Sequence, residues 1–195
     1  MRIVAGKFKG LGLATPKDAR VRPTSDRVRE ALFNVLAHND FGVGFKVEGA
    51  RVMDMFAGTG ALGLEALSRG AKYVLFVDDH HESRGLIRRN VEAAHATGAS
   101  KIWRRDATAL GEMPPNAGGP FDLVFMDPPY RQGFVAKGLA SIDGGGWLTP
   151  HAVVIAEMAE DEMFASPDWV ETLDERVYGD TKIVLLVRGQ MDRTR

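Results

Sequence analysis

Cysteine is absent from all 195 residues. That excludes disulfides, cysteine-ligated zinc and any mechanism built on a cysteine nucleophile. No apolar run approaches the roughly 20 residues that cross a bilayer, and the N-terminus lacks the apolar core of a signal peptide. The cytoplasm is therefore the expected location, with no membrane partner. The five histidines, His38, His80, His81, His95 and His151, follow no metal-ligand spacing, so no metal is expected. Adjacent His80 and His81 read as a surface pair at a helix start. Internal repeats and low-complexity segments are also missing. An excess of charge of either sign is lacking too. Lys and Arg number 25 against 26 Asp and Glu, and the net charge of −1 argues against nonspecific coating of nucleic acid by the whole surface.

What is present has the composition of a soluble globular chain, 45% hydrophobic and 26% charged, of a length that suits one domain with a short appendage. The charge is unevenly spread. Residues 1–36 carry eight Lys and Arg against three Asp and Glu, a net +5, which leaves −6 for the remainder. A basic N-terminal arm on an acidic body suits phosphate contact; the competing reading is a solvated flank. Gly6, Gly10, Gly12 and Pro16 punctuate a short ribbon or arm. Thr24 or Ser25 can then cap a helix with Val28, Leu32, Val35 and Leu36 on its apolar face. We divide the chain into an arm and helix over 1–39, packed on a main domain over 40–195.

In the main domain, apolar runs alternate with amphipathic segments. Strands are predicted near 51–56, 73–78, 101–104, 121–126, 152–157 and 182–187, and helices near 61–69, 81–97 and 132–141. Residues 169–177, Gly179-Asp180 and 182–187 read as a terminal hairpin. The alternation predicts a doubly wound, mainly parallel α/β sheet. Ligands of such sheets lie outside the carboxyl ends of the strands. Asp54, Asp78, Asp106 and Asp127 all fall at or just past predicted strand ends.

Two motifs carry the chemistry. In the first, the apolar run 51–56 enters a turn where Gly58, Gly60 and Gly63 match G-x-G-x-x-G. The missing side chains let backbone approach a ligand and a helix pack closely. An acid before that turn, Asp54, repels a pyrophosphate and suits a cationic ligand end. Asp78 closes the next strand where a ribose-binding acid belongs, with Asp79 as its alternative. In the second motif, Asp127-Pro128-Pro129-Tyr130 follows the apolar run 121–126. Two prolines force a rigid turn there. The carboxylate and a carbonyl can accept from an amine while the tyrosine ring stacks on a planar base. A proline-rich turn closed by a core tyrosine is the alternative for the tetrapeptide alone. Asp106 alone reads equally well as a helix N-cap, and Glu157, ending a later strand, as either a wall of the base pocket or a backbone-bonded acid.

Together, residues 54–60, Asp78, Arg105-Asp106-Ala107 and Asp127–Tyr130 resemble the class I S-adenosylmethionine-dependent methyltransferases that modify exocyclic amines. The segments 22–34 and 61–71 are similar to the bacterial 16S rRNA guanine-N2 methyltransferase D family, and the similarity runs in order from Arg2 to Thr181. The resemblance implies a Rossmann-like, seven-stranded sheet with an antiparallel last strand. It implies that Asp54, Phe56, Gly58, Thr59 and Gly60 hold the methionine part of S-adenosyl-L-methionine. Asp78 would bind ribose, and Asp106 and Ala107 the adenine. Asp127, Pro128 and Tyr130 would form the catalytic group. Arg20, Arg22, Arg27 and Arg29 are the candidate RNA contacts, although the same segment also suits a lid over the cofactor. The implied partner is 16S rRNA in a partly or fully assembled small ribosomal subunit, met by a monomer.

Three other readings compete. Asp-Pro-Pro-Tyr serves amines generally, so adenine-N6 methylation of RNA or DNA is one. A nicotinamide-dependent oxidoreductase is another, against which Asp54 and residues 127–130 argue. A noncatalytic RNA-binding assembly factor is the third, and the intact set of acids and glycines argues against it.

Overall fold

The computed structural model describes residues 1–16 and 26–189. Seven strands form one sheet: β1 (Arg51–Met55), β2 (Tyr73–Val77), β3 (Ser100–Trp103), β4 (Phe121–Met126), β5 (Leu148–Ala159), β6 (Val170–Tyr178) and β7 (Thr181–Arg188). Their order is β3-β2-β1-β4-β5-β7-β6. The first five strands pair in parallel and β7 runs antiparallel to β5 and β6. Among the described residues the α-helices are α1 (Asp26–His38), α2 (Ala61–Ser68), α3 (His81–Ala93) and α4 (Phe134–Ile142).

Alternation along the strands divides the core between the two sheet faces. Val52, Leu123, Phe125, Val153 and Ile155 join one buried cluster with residues of α1, α2 and α3. Met53, Met55, Val124, Met126, Val154 and Ala156 join the other with Val135, Leu139 and Ile142 of α4. Helices on both faces make the sheet doubly wound, as the alternation predicts. Gly63 shows how closely α2 lies on the sheet. A Cβ there would stand 2.4 Å from Phe76 Cε1 and 2.8 Å from Val74 Cγ1.

Two element boundaries differ from expectation for visible reasons. Helix α3 stops at Ala93 rather than residue 97, because His95 adopts a positive φ of 51° and the chain continues as a short 3-10 turn. Strand β5 begins at Leu148, ahead of Pro150. The register slips between Phe121 and Leu123, so the exposed Pro150 and His151 are accommodated without breaking the strand.

Residues 1–16 form the expected ribbon, with Arg2 and Gly12 bridged antiparallel. The ribbon docks on α2: Lys7 N donates to Ser68 O at 2.8 Å, and Phe8 N to Ser68 Oγ at 2.9 Å. Gly6 makes this approach possible, since with φ +81° a Cβ would lie 1.9 Å from the Ser68 carbonyl oxygen. Ile3, Leu13, Leu32, Phe33 and Leu36 lie in the same buried cluster as β1 and α2. Thr24 and Ser25, the expected caps of α1, lie outside the described residues.

Candidate active site

Parallel pairing brings the carboxyl ends of β1, β2, β3, β4 and β5 to one rim. Asp54 lies in β1, Asp78 follows β2, Asp106 lies past β3, Asp127 follows β4 directly, and Glu157 sits near the end of β5. Met55 pairs with Met126, so the glycine turn and Asp127 leave neighbouring strands side by side.

The turn after β1 is built from unusual backbone. Phe56 has a positive φ of 57°, a strained state for a residue with a side chain, and Gly58 and Gly60 are left-handed at 55° and 76°. Phe56 is held by stacking on Phe134, ring centroids 5.9 Å apart. A Cβ on Gly58 would meet nothing closer than a carbonyl at 3.9 Å, so bare backbone faces open space there. Thr59 offers its carbonyl to Asn90 Nδ2 at 2.9 Å.

Asp54 is 1% exposed, and its Oδ2 accepts from Gly63 N at 2.9 Å. The carboxylate thus takes up one of the first free amides of α2, against the positive end of the helix dipole. Burial still pushes its pKa up to about 8; the Gly63 bond opposes the rise and the charge of Asp78 adds to it. Asp78 accepts from Gly58 N at 2.9 Å and from His80 N at 2.8 Å. Burial raises its pKa as well, against those two bonds. Asp79 is exposed, and its carbonyl accepts from Arg84 Nη1 at 2.6 Å. Of the adjacent acids, Asp78 is the one that faces the glycine turn.

Asp106 is exposed and starts a turn rather than a helix. Its Oδ1 accepts from Thr108 N at 2.8 Å and Thr108 Oγ1 at 2.7 Å, and these bonds hold its pKa below the ordinary carboxylate value. The N-cap reading therefore fails for want of a helix. Ala107 is buried beside it, with its carbonyl accepting from Ser141 Oγ at 2.6 Å.

Beyond β4, Asp127 is half-buried, Pro128 buried and Tyr130 half-buried. The tyrosine hydroxyl donates to Glu157 Oε1 at 2.6 Å and stands 3.0 Å from Thr181 Oγ1. Burial and the Glu157 carboxylate raise its pKa. A pure stacking role gives the hydroxyl no task, yet here it is the best-anchored part of the side chain.

Among the candidate RNA contacts, Arg27 is exposed, while Arg20 and Arg22 lie outside the described residues. Arg29 is a correction. It is fully buried, donating to Asp26 Oδ1 at 2.8 Å and to the Arg2 carbonyl, with its Nε 3.5 Å from Glu65 Oε2. It braces the ribbon against α1 and α2 and does not reach a phosphate. Asn90 was not among the expected site residues. It is 1% exposed, exchanges bonds with Ala14, and ties that ribbon residue to Thr59 of the glycine turn. An asparagine in step with Leu86, Ile87 and Val91 on the buried face of α3 is the sequence signal that marks it.

The donor set fits S-adenosylmethionine. A buried acid below the turn suits an ammonium, an open backbone cradle suits the amino-acid end, and an acid across the turn suits a ribose. The protein-family model described as conserved hypothetical protein 95 matches residues 1–187. The ribosomal RNA small subunit methyltransferase D of Escherichia coli K12 is 36% identical over 158 residues, covering 80% of this chain and 74% of that protein. The protein of the same name from Haemophilus influenzae is 29% identical over 180 residues, 92% of this chain and 89% of that one. Among solved structures, yhhF from Escherichia coli superposes with a TM-score of 0.79 at 31% identity, covering 96% of this chain and 97% of that chain. The chain belongs to the ribosomal RNA small subunit methyltransferase D family, within the class I S-adenosylmethionine-dependent methyltransferases.

Proposed function

We propose that this chain methylates the exocyclic N2 amine of a guanine in 16S rRNA, within a partly or fully assembled small ribosomal subunit. The observation that carries this reading is the adjacency of two ledges. The glycine turn leaves β1 and Asp127 leaves β4, and the pair Met55–Met126 sets them next to each other on the rim. The names of the relatives supply the ribosomal substrate.

Bound S-adenosylmethionine supplies a methyl group on a sulfonium leaving group. The residues of the chain must do the rest. Guanine N2 is a poor nucleophile because its lone pair is delocalised into the ring. Asp127 accepts from that amine, orients it, and puts negative charge where positive charge builds on nitrogen. It acts as an orienting and electrostatic group, with the surplus proton leaving to water. Asp54 meets the ammonium of the cofactor, Asp78 the ribose hydroxyls, and Asp106 with Ala107 the adenine. Tyr130 stacks on the target base.

Single-turnover methyl transfer to small-subunit RNA and to assembled particles, with the product nucleoside identified, tests the assignment. N2-methylguanine is expected. N6-methyladenine would replace the substrate with the competing amine, and binding without transfer would favour the assembly-factor reading. In Asp127→Ala, folding and cofactor affinity should stay near normal while the transfer rate falls by about 10²–10³. Full activity in that variant would sink the mechanism.

A further inference from the structure

We propose that Glu157, seconded by Thr181, is a positioning residue that locks the Tyr130 ring into a fixed platform for the incoming base. The proposal rests on the reading of Tyr130 as the base-stacking residue.

The geometry begins with the strands. Glu157 stands one residue beyond Ala156, which pairs with Met126, just as Asp127 stands one residue beyond Met126. The two acids therefore occupy matching places on the rim. On the other side of β5, Ala159 pairs with Thr181 at the start of β7. Glu157 and Thr181 continue the sheet face that carries Ile155 and Ile183, both buried, so apolar packing below fixes the strand positions that present them.

Tyr130 reaches across this corner. Its hydroxyl donates to Glu157 Oε1 at 2.6 Å, the short distance of a bond to a charged acceptor. With that proton committed, the Thr181 hydroxyl 3.0 Å away is left to act as donor to the tyrosine oxygen. A phenol held by both an acceptor and a donor cannot swing about its Cα–Cβ bond without breaking two hydrogen bonds. The backbone end is equally constrained, because Pro128 and Pro129 precede it and Arg131 holds a positive φ of 59°. Arg131 is itself tied to the segment after β5, by N to Glu162 Oε2 and Nη2 to Asp161 Oδ1, both 2.8 Å. Both ends of Tyr130 are thus fixed to β5, its following turn and β7. Glu157 is 7% exposed, so it works through the tyrosine rather than by meeting the base itself. Preorganisation of this kind lowers the ordering cost of binding a flexible loop of RNA.

The test compares Glu157→Gln, Tyr130→Phe and the double variant. Each single change is expected to raise KM for the RNA by about tenfold, with kcat at saturating RNA and affinity for S-adenosylhomocysteine little changed. The double variant should be no worse than the worse single one, because both remove the same anchor. Effects that multiply would overturn the proposal by showing that Glu157 acts apart from Tyr130. An unchanged KM in both singles would overturn it too, as would a loss of cofactor affinity that tracks the KM. A second arm needs no activity. Carbon-13 relaxation of ring-labelled tyrosine in the free protein should show a rigid Tyr130 that becomes mobile in Glu157→Gln. If that anchor is seen and no base is methylated, the methyltransfer reading fails and the positioning role stands as structure alone. A ring equally rigid in both proteins would overturn the role whatever the substrate.

Discussion

On the role proposed for Asp54, one carboxylate would serve the fold and the ligand with opposite pH signatures. Its folded pKa is raised from 3.8 to about 8, so the folded chain keeps a proton that the unfolded chain releases. The stability this group contributes is complete below the unfolded value and is lost as pH rises through about 8. A cofactor ammonium beside it favours the ionised form and pulls the other way. Binding should therefore release a proton, and affinity should rise by up to about one log unit per pH unit between pH 6 and 7.5. Asp78, also raised by burial, acts in the same direction when ribose hydroxyls bond its ionised form. Calorimetry with S-adenosylmethionine in buffers of different ionisation enthalpy measures the proton directly. Asp54→Asn should reduce the release to the share left by Asp78, weaken binding by about 1.5–3 kcal/mol, and remove the loss of stability toward pH 8. A pH-independent affinity in the unaltered chain would exclude the ammonium as the partner of Asp54.

At the scale of elements, the buried cluster around Glu65 decides how the N-terminal ribbon is attached. Glu65 is fully buried in the middle of α2. It accepts from Val4 N at 2.8 Å, Ala5 N at 3.0 Å and Arg69 Nε at 2.9 Å, and lies 3.5 Å from Arg29 Nε. Removing one member of such a set strands a buried charge. Glu65→Ala is expected to lower the unfolding free energy by about 3–5 kcal/mol in urea titration. Replacing Arg29 and Glu65 together with apolar residues should recover only part of this, because the amides of Val4 and Ala5 would still lack their acceptor. Hydrogen exchange at those two amides reports the loss. This cluster marks the limit of what the sequence discloses. The strands, the glycine turn and the four rim acids are legible because each rests on local pattern: alternation, positive-φ glycines, acids at strand ends. Arg29 is not, since its burial depends on Glu65 and on a ribbon folded back over α2. In the string it looks like its neighbour Arg27, which is exposed. The anchoring of Tyr130 is hidden for the same reason, because Glu157 and Thr181 meet it only through the pairing of β5 with β7.

For the molecule as a whole, the question is how an acidic body meets a polyanion. We propose that the N-terminal end, with its net +5 over residues 1–36, takes that task. With Arg29 withdrawn into the core, the cations left for phosphate are fewer than that charge implies. Arg2, Lys7, Lys9 and Arg27 are exposed, and Lys17, Arg20 and Arg22 lie in the segment joining the ribbon to α1. Replacing Lys17, Arg20 and Arg22 with Ala should weaken RNA binding at low salt. It should also flatten log K against log salt by about 0.7–0.9 for each phosphate no longer neutralised. Affinity for S-adenosylhomocysteine should hardly change, which separates an RNA-binding arm from a lid over the cofactor. Arg27→Ala should add a further, smaller flattening. Arg29→Ala should instead lower thermal stability, with the salt slope of whatever protein remains folded unaltered. A triple variant with the full salt slope would return the arm to the reading of a solvated flank, and a triple variant with impaired cofactor affinity would make the segment a lid.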